Sequence, residues 1–157
     1  VGEAVAAIEL EVEAQHQLSV DAVVVGDCPL DDDLRALLAA GREAVVNSAK
    51  WSGADVVSIF VEVEPARVSL FVRDRGVGFD LDGVDGSRRG IAESIRARIA
   101  RHGGTSEIRS RPGEGTEVEL TVPRNQKGDR PQTGDRTGTG DRPGPGDRPG
   151  PGDRTGK

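Results

Sequence analysis

The chain has 157 residues and a formal net charge of −6, enough for one folded domain on the usual scale of roughly 100–200 residues each. All of its hydrophobic residues, 34% of the chain, lie in 1–123 and none lies in 124–157; the first stretch can bury a core, and the second is expected to be disordered. Residues 1–123 carry 13 Lys and Arg against 22 Asp and Glu, a balance of −9 that repels phosphate backbones and argues against nucleic acid as a main partner.

In chain order, Val1, Val5, Ile8 and Val12 fall four, three and four apart, the apolar stripe of a helix ending near His16. Val20 to Val25 reads as a short strand, stopped by Gly26 and Pro29. Asp31, Asp32 and Asp33 supply an N-cap and an acidic first turn for a second helix, with Leu34, Leu37, Leu38, Val45 and Ser48 on its inner side and Gly53 closing it near Trp51. Val57, Ile59, Val61 and Val63 alternate, as do Val68, Leu70 and Val72, and Pro65-Ala66 turns them into a hairpin. Residues 75–90 hold five glycines and read as a mobile loop. Ile91, Ile95 and Ile99 stripe a third helix over 91–102, ending at Gly103-Gly104. Thr105 to Ser110 and Thr116 to Val122 form a last hairpin around Pro112-Gly113-Glu114-Gly115. This order predicts an α/β (α+β) fold, a two-layer sandwich whose mixed, largely antiparallel sheet is covered on one face by about three helices.

The tail repeats Gly-Asp-Arg with a period of six, at 128–130, 134–136, 140–142, 146–148 and 152–154. Each unit is electrically neutral, and the composition is that of a flexible linker. No apolar run approaches the roughly 20 residues of a membrane span, so no direct membrane contact is expected. Cys28 is the single cysteine, which excludes disulfides and thiolate clusters and fits a reducing, cytoplasmic compartment. The first residue is Val1 rather than Met, so the chain reads as a piece of something longer.

Three segments carry chemistry. Glu43, Asn47 and Lys50 are spaced four and three apart and share one helical face; a carboxylate, an amide oxygen and an ammonium there can serve a water, a Mg²⁺ and a phosphate, or form an ordinary solvated face. Asp74-Arg75-Gly76-Val77-Gly78 follows a strand directly, where Asp74 could accept from an exocyclic amine or cap a turn. Arg88-Arg89-Gly90-Ile91 leads into the third helix, whose free backbone N–H groups would favour an anion, or it is a plain loop-to-helix join.

In this order and spacing the three segments resemble the GHKL ATPases, most closely the catalytic ATP-binding domain of bacterial sensor histidine kinases of the NarL-partner type found in actinobacteria. Glu43-x-x-x-Asn47-x-x-Lys50 is similar to the family's N box, Asp74-x-Gly76-x-Gly78 to its first glycine box, and Arg89-Gly90-Ile91 to its second. The closing run from Ser110 to Val118 resembles the hairpin that ends such domains. The resemblance covers roughly 20–123, within a domain of 1–123 whose first helix, 1–16, leads from an upstream region.

The resemblance implies ATP and Mg²⁺ as ligands. Asn47 would coordinate Mg²⁺ and Lys50 would meet the phosphates. Asp74 would accept the adenine N6 hydrogen bond, Gly76 and Gly78 would line the base, and Thr116 would sit behind it. Loop 79–89 would be the ATP lid, with Arg89, Gly90 and Ile91 beside phosphate, and Glu43 would polarise the attacking group. The implied partners are a histidine-bearing dimerisation domain of the same protein and, indirectly, a response regulator.

Two departures stand out: Trp51 occupies the place where the family often has His or Tyr, and Ser87-Arg88 replaces a common Gly-Leu. Neither histidine is followed by an acidic residue, since Gln17 follows His16 and Gly103 follows His102, so the phosphoacceptor is expected upstream of Val1. Two other functions remain open: an anti-sigma-factor-type serine kinase of the same fold, and a degenerate nucleotide-binding interaction module. The Pro112–Val118 hairpin weighs against the first, and Glu43, Asn47 and Asp74 against the second.

Overall fold

Apolar periodicity and capping set the elements of the computed structural model, which describes residues 1–80 and 86–124, with the backbone alone described at 86–88. In α1 (Gly2–Gln15) the buried stripe is Val5, Ile8 and Val12, and His16 ends the helix by turning to extended backbone. Strand β1 (Ser19–Val25) follows. In α2 (Asp32–Trp51), Asp31 caps the first turn through its side chain, accepting from the Leu34 amide at 2.8 Å.

Strands β2 (Val56–Val63) and β3 (Arg67–Asp74) form the expected hairpin, and β4 (Thr105–Arg111) and β5 (Gly115–Pro123) form the last one. The sheet order is β1-β2-β3-β5-β4, with β1 parallel to β2 and every other pair antiparallel. Helices α1 and α2 and the later α3 (Gly86–Arg101) pack on one face. Leu37, Leu70, Ile95, Ile99 and Leu120 are fully buried between the layers, each contributing roughly 1.5–3 kcal/mol by leaving water.

One boundary differs from expectation. Residues 75–90 were expected as loop and the third helix at 91–102, yet α3 already runs from Gly86. Glycines weaken a helix by only about 1 kcal/mol each, and the packing of Ala92, Ile95 and Ile99 into the core supports the extra turn. Among the described residues no helix is long and apolar enough to cross a membrane. Burial pushes the Cys28 thiol above its ordinary range, away from the thiolate form. The Gly-Asp-Arg repeat, and with it the expectation of a disordered tail, lies outside the described residues from 125 onward.

Candidate functional site

The end of β3 delivers Asp74 beneath α2, where its side chain is 3% exposed. An isolated carboxylate in that position would be costly, and two donors offset the cost. Ser48 Oγ on α2 donates to Asp74 Oδ2 at 2.6 Å, and the Gly76 amide donates to Oδ1 at 2.9 Å. The second bond is the local turn cap considered from the sequence; the first ties the strand end to the helix.

The glycines after Asp74 are required by chain packing. A Cβ on Gly76 would lie 2.1 Å from the Ser52 carbonyl oxygen, and the next amide, Val77, donates to that same oxygen at 2.8 Å. Gly78 has φ +57°, and a Cβ there would lie 2.0 Å from the Arg111 carbonyl oxygen. The Gly113 amide donates to Val77 O at 2.7 Å, while the Phe79 amide donates to Ser110 Oγ at 2.9 Å. The glycine segment is therefore clamped between the end of α2 and the β4–β5 turn.

Asn47, Ser48, Trp51, Asp74, Phe79 and Thr116 line a cleft together with Ser52 and Gly78. Its free volume is about 10 Å³, room for about one water. Asn47 Oδ1 is buried there without a hydrogen-bond partner among the described residues. An orphaned amide oxygen suits a hard cation, which binds oxygen donors. No group of three or more His, Cys, Asp or Glu side chains among the described residues could hold a metal by itself. A Mg²⁺ here would therefore take Asn47 as a protein ligand and rely on phosphate oxygens for others, as this ion commonly does. Lys50, one turn on, is exposed and has no ion-pair partner among the described residues.

Four of the residues singled out in the sequence thus come together in one cleft: Asn47, Asp74, Gly78 and Thr116. Thr116 pairs with Asp74 across β3 and β5, and its hydroxyl meets Ser110 Oγ at 3.0 Å. Glu43, Lys50, Gly76, Arg89, Gly90 and Ile91 are not on that wall. Gly76 backs onto Ser52, and Glu43 pairs with Arg98 of α3 at 3.4 Å. Gly90 and Ile91 sit past the first turn of α3, so their N–H groups belong to the helical ladder rather than to a free N-terminus. Of the expected lid, 79–89, residues 81–85 lie outside the described residues and 86–89 are helical. A larger open groove of about 420 Å³ runs along β3, β5 and β4. Its arginines are matched by glutamates, with Arg109 bonding both Glu107 and Glu117.

Ser48, Ser52, Ser110 and Arg98 were not singled out as site residues. The available signal was Ser48, a polar residue on the buried side of an apolar helix and next to Asn47. Ser52 acts through its backbone carbonyl and Ser110 through a hydroxyl that meets residues across the chain, neither of which a local sequence pattern announces.

Residues 32–126 match the family described as histidine kinase-, DNA gyrase B-, and HSP90-like ATPase. The chain is 34% identical over 82 residues to the sensor histidine kinase LiaS of Bacillus subtilis, covering 52% of this chain and 22% of LiaS. It is 32% identical over 91 residues to the signal transduction histidine-protein kinase/phosphatase DegS of the same organism, covering 56% of this chain and 23% of DegS. The chain thus spans about a quarter of the length of these curated relatives. Among solved structures, the mycobacterial sensor histidine kinase MprB superposes with a TM-score of 0.58 at 20% identity, covering 78% of this chain and 93% of that one. The histidine kinase domain of the Erythrobacter litoralis EL346 blue-light activated kinase gives 0.61 at 19% identity, covering 77% and 58%. At these identities the likeness is one of fold.

Proposed function

Because the chain belongs to the histidine kinase-, DNA gyrase B-, and HSP90-like ATPase family, we propose that residues 1–123 are the ATP-binding catalytic domain of a two-component sensor histidine kinase. The domain binds ATP with Mg²⁺ and presents the γ-phosphate to a histidine on a separate dimerisation domain of the same protein, from which a response regulator is then served. The observation that carries this reading is the cleft lined by both the buried Asp74 carboxylate and the unpartnered Asn47 amide oxygen. An anion that accepts from a base amine and an oxygen that meets a hard cation are the two ends of a MgATP site. LiaS and DegS are named as histidine kinases, which supports histidine rather than serine as the acceptor.

In this reading Asp74 accepts from the adenine amine, Thr116 and Gly78 wall the base, and Lys50 meets phosphate oxygens. Arg89, Gly90 and Ile91 stand on the phosphate side, where backbone N–H groups become available only if the first turns of α3 unwind. Asn47 holds Mg²⁺, which when bound neutralises charge on the phosphates. Glu43 polarises the attacking imidazole. A P–N bond to that imidazole forms as the bond from the γ-phosphorus to its bridging oxygen breaks, and ADP leaves; positioning and charge neutralisation supply most of the catalysis. A purine needs far more room than about 10 Å³, so nucleotide entry must displace a wall of the cleft.

Calorimetric titration of the chain with ATP, with and without Mg²⁺, tests this. Binding that strengthens with Mg²⁺ is expected, and the absence of any ATP binding would overturn it. Adding the upstream helical domain of the parent protein should give an acid-labile phosphate on a histidine of that domain.

A further inference from the structure

We propose that Ser48 is a positioning residue for base recognition: its hydroxyl sets the plane of the Asp74 carboxylate so that a free lone pair meets the exocyclic amine of adenine. The inference rests on Asp74 being the base acceptor, and it assigns to Ser48 a part in specificity. The geometry behind it is direct. Ser48 Oγ lies 2.6 Å from Asp74 Oδ2, both residues are buried, and they stand 26 positions apart in the chain.

A carboxylate on a single anchor is poorly oriented, because the terminal torsion of an Asp side chain is broad. The Gly76 amide fixes Oδ1 alone, leaving the group free to turn about that bond. The Ser48 bond fixes Oδ2 and thereby the plane. An ionised carboxylate offers about four lone-pair sites, so two protein donors leave capacity for a ligand donor. A helical serine commonly returns its hydroxyl to the carbonyl one turn back; here the hydroxyl is spent on Asp74 instead. Ser48 also follows Asn47 directly, so one turn of α2 carries both the anchor of the base acceptor and the candidate metal ligand.

The test compares ATP with purine riboside 5′-triphosphate, which lacks the 6-amino group, by calorimetry on the full chain as wild type, Ser48→Ala and Ser48→Thr. Wild type should prefer ATP. Ser48→Ala should lose roughly tenfold in ATP affinity, the scale of one hydrogen bond to a charged group, with affinity for the analogue unchanged. Ser48→Thr, which keeps the hydroxyl, should restore the preference. If Ser48→Ala fails to fold, Ser48→Cys keeps the volume with a weaker donor and should show a smaller loss of the same preference. Equal weakening of both nucleotides makes the role structural and overturns the proposal, as does an unchanged ratio. A wild type that binds ATP without preferring it to the analogue removes the base role of Asp74 and the proposal with it. A wild type that binds neither nucleotide overturns the ATP reading itself.

Discussion

Arg98 of α3 reaches Glu43 of α2, with Nη2 at 3.4 Å from Oε2 and the two side chains 33% and 28% exposed. The glutamate assigned to the attacking group is thus held by a cation from the helix that follows the glycine-rich stretch. Such half-exposed pairs contribute about 0.2–1 kcal/mol and weaken with salt. Arg98→Ala should therefore lower thermal stability by no more than about 1 kcal/mol, less still at high salt. Paired melting curves at low and high ionic strength check this; a larger, salt-independent loss would show that Arg98 acts through packing of its stem.

Asn47 and Asp74 should separate metal from base. Asn47→Ala removes an oxygen that has no hydrogen-bond partner among the described residues, so stability should change by less than about 1 kcal/mol while Mg²⁺-dependent ATP affinity falls. Asp74→Asn should weaken ATP with or without Mg²⁺, because an amide oxygen is a weaker acceptor than a carboxylate. Titrations at fixed ATP and varied Mg²⁺ distinguish the two patterns. An Asn47→Ala variant that binds MgATP like wild type would remove the metal role.

Two glycines should respond in opposite directions. Gly78→Ala meets the Arg111 carbonyl at 2.0 Å from a backbone with φ +57°, and should cost more than about 2 kcal/mol. Gly90→Ala meets nothing within 4 Å inside α3 and should stabilise the protein by about 0.5–1 kcal/mol through helix propensity. Chemical denaturation of the pair reads both signs. A destabilised Gly90→Ala variant would argue against the helical start at Gly86.

Deleting 125–157 should leave the melting temperature and ATP affinity nearly unchanged, because the removed residues include no apolar side chain to dock. The cut belongs after Arg124, whose amide donates to Ala66 O at 2.8 Å at the end of the β3–β5 ladder. A melting point several degrees lower would reveal packing by the repeat.

The chain alone should bind ATP yet fail to phosphorylate His16 or His102. His16 ends α1, and His102 is engaged through Nδ1 with Asp33 Oδ1 at 2.8 Å, beyond the C-terminus of α3. In-line attack needs the nucleophile roughly 3–3.5 Å from the γ-phosphorus. His102 lies twelve residues past Gly90, on the order of 18 Å along a helix at about 1.5 Å per residue. Radiolabelled ATP followed by acid and base treatment checks this. Acid-labile label on either histidine would overturn the account of an upstream acceptor.

Most of the architecture was legible along the chain because its causes are local. Val5, Ile8 and Val12 mark α1 by spacing, Asp31 caps α2 with its own side chain, and alternation in Val57 to Val63 marks a strand with one buried face. Asn47, Asp74 and Gly78 stood out for the same reason, as residue types at fixed offsets from element ends. The start of α3 was not legible, because a glycine-rich stretch has no strong preference and distant packing decides where the helix begins. Nor were the contacts that build the cleft. Ser48 meets Asp74, Gly76 meets Ser52, Gly78 meets Arg111 and Glu43 meets Arg98 only after the sheet register and the helix seating are set. Such pairings join residues far apart in sequence, and their chain-closure entropy is repaid by the whole core rather than by any motif. Residue types at fixed offsets from element ends marked Asn47, Asp74 and Gly78 as candidates along the chain; only the seating of α2 against the sheet brings them to one wall, with Ser48 and Arg111 as the neighbours that hold it.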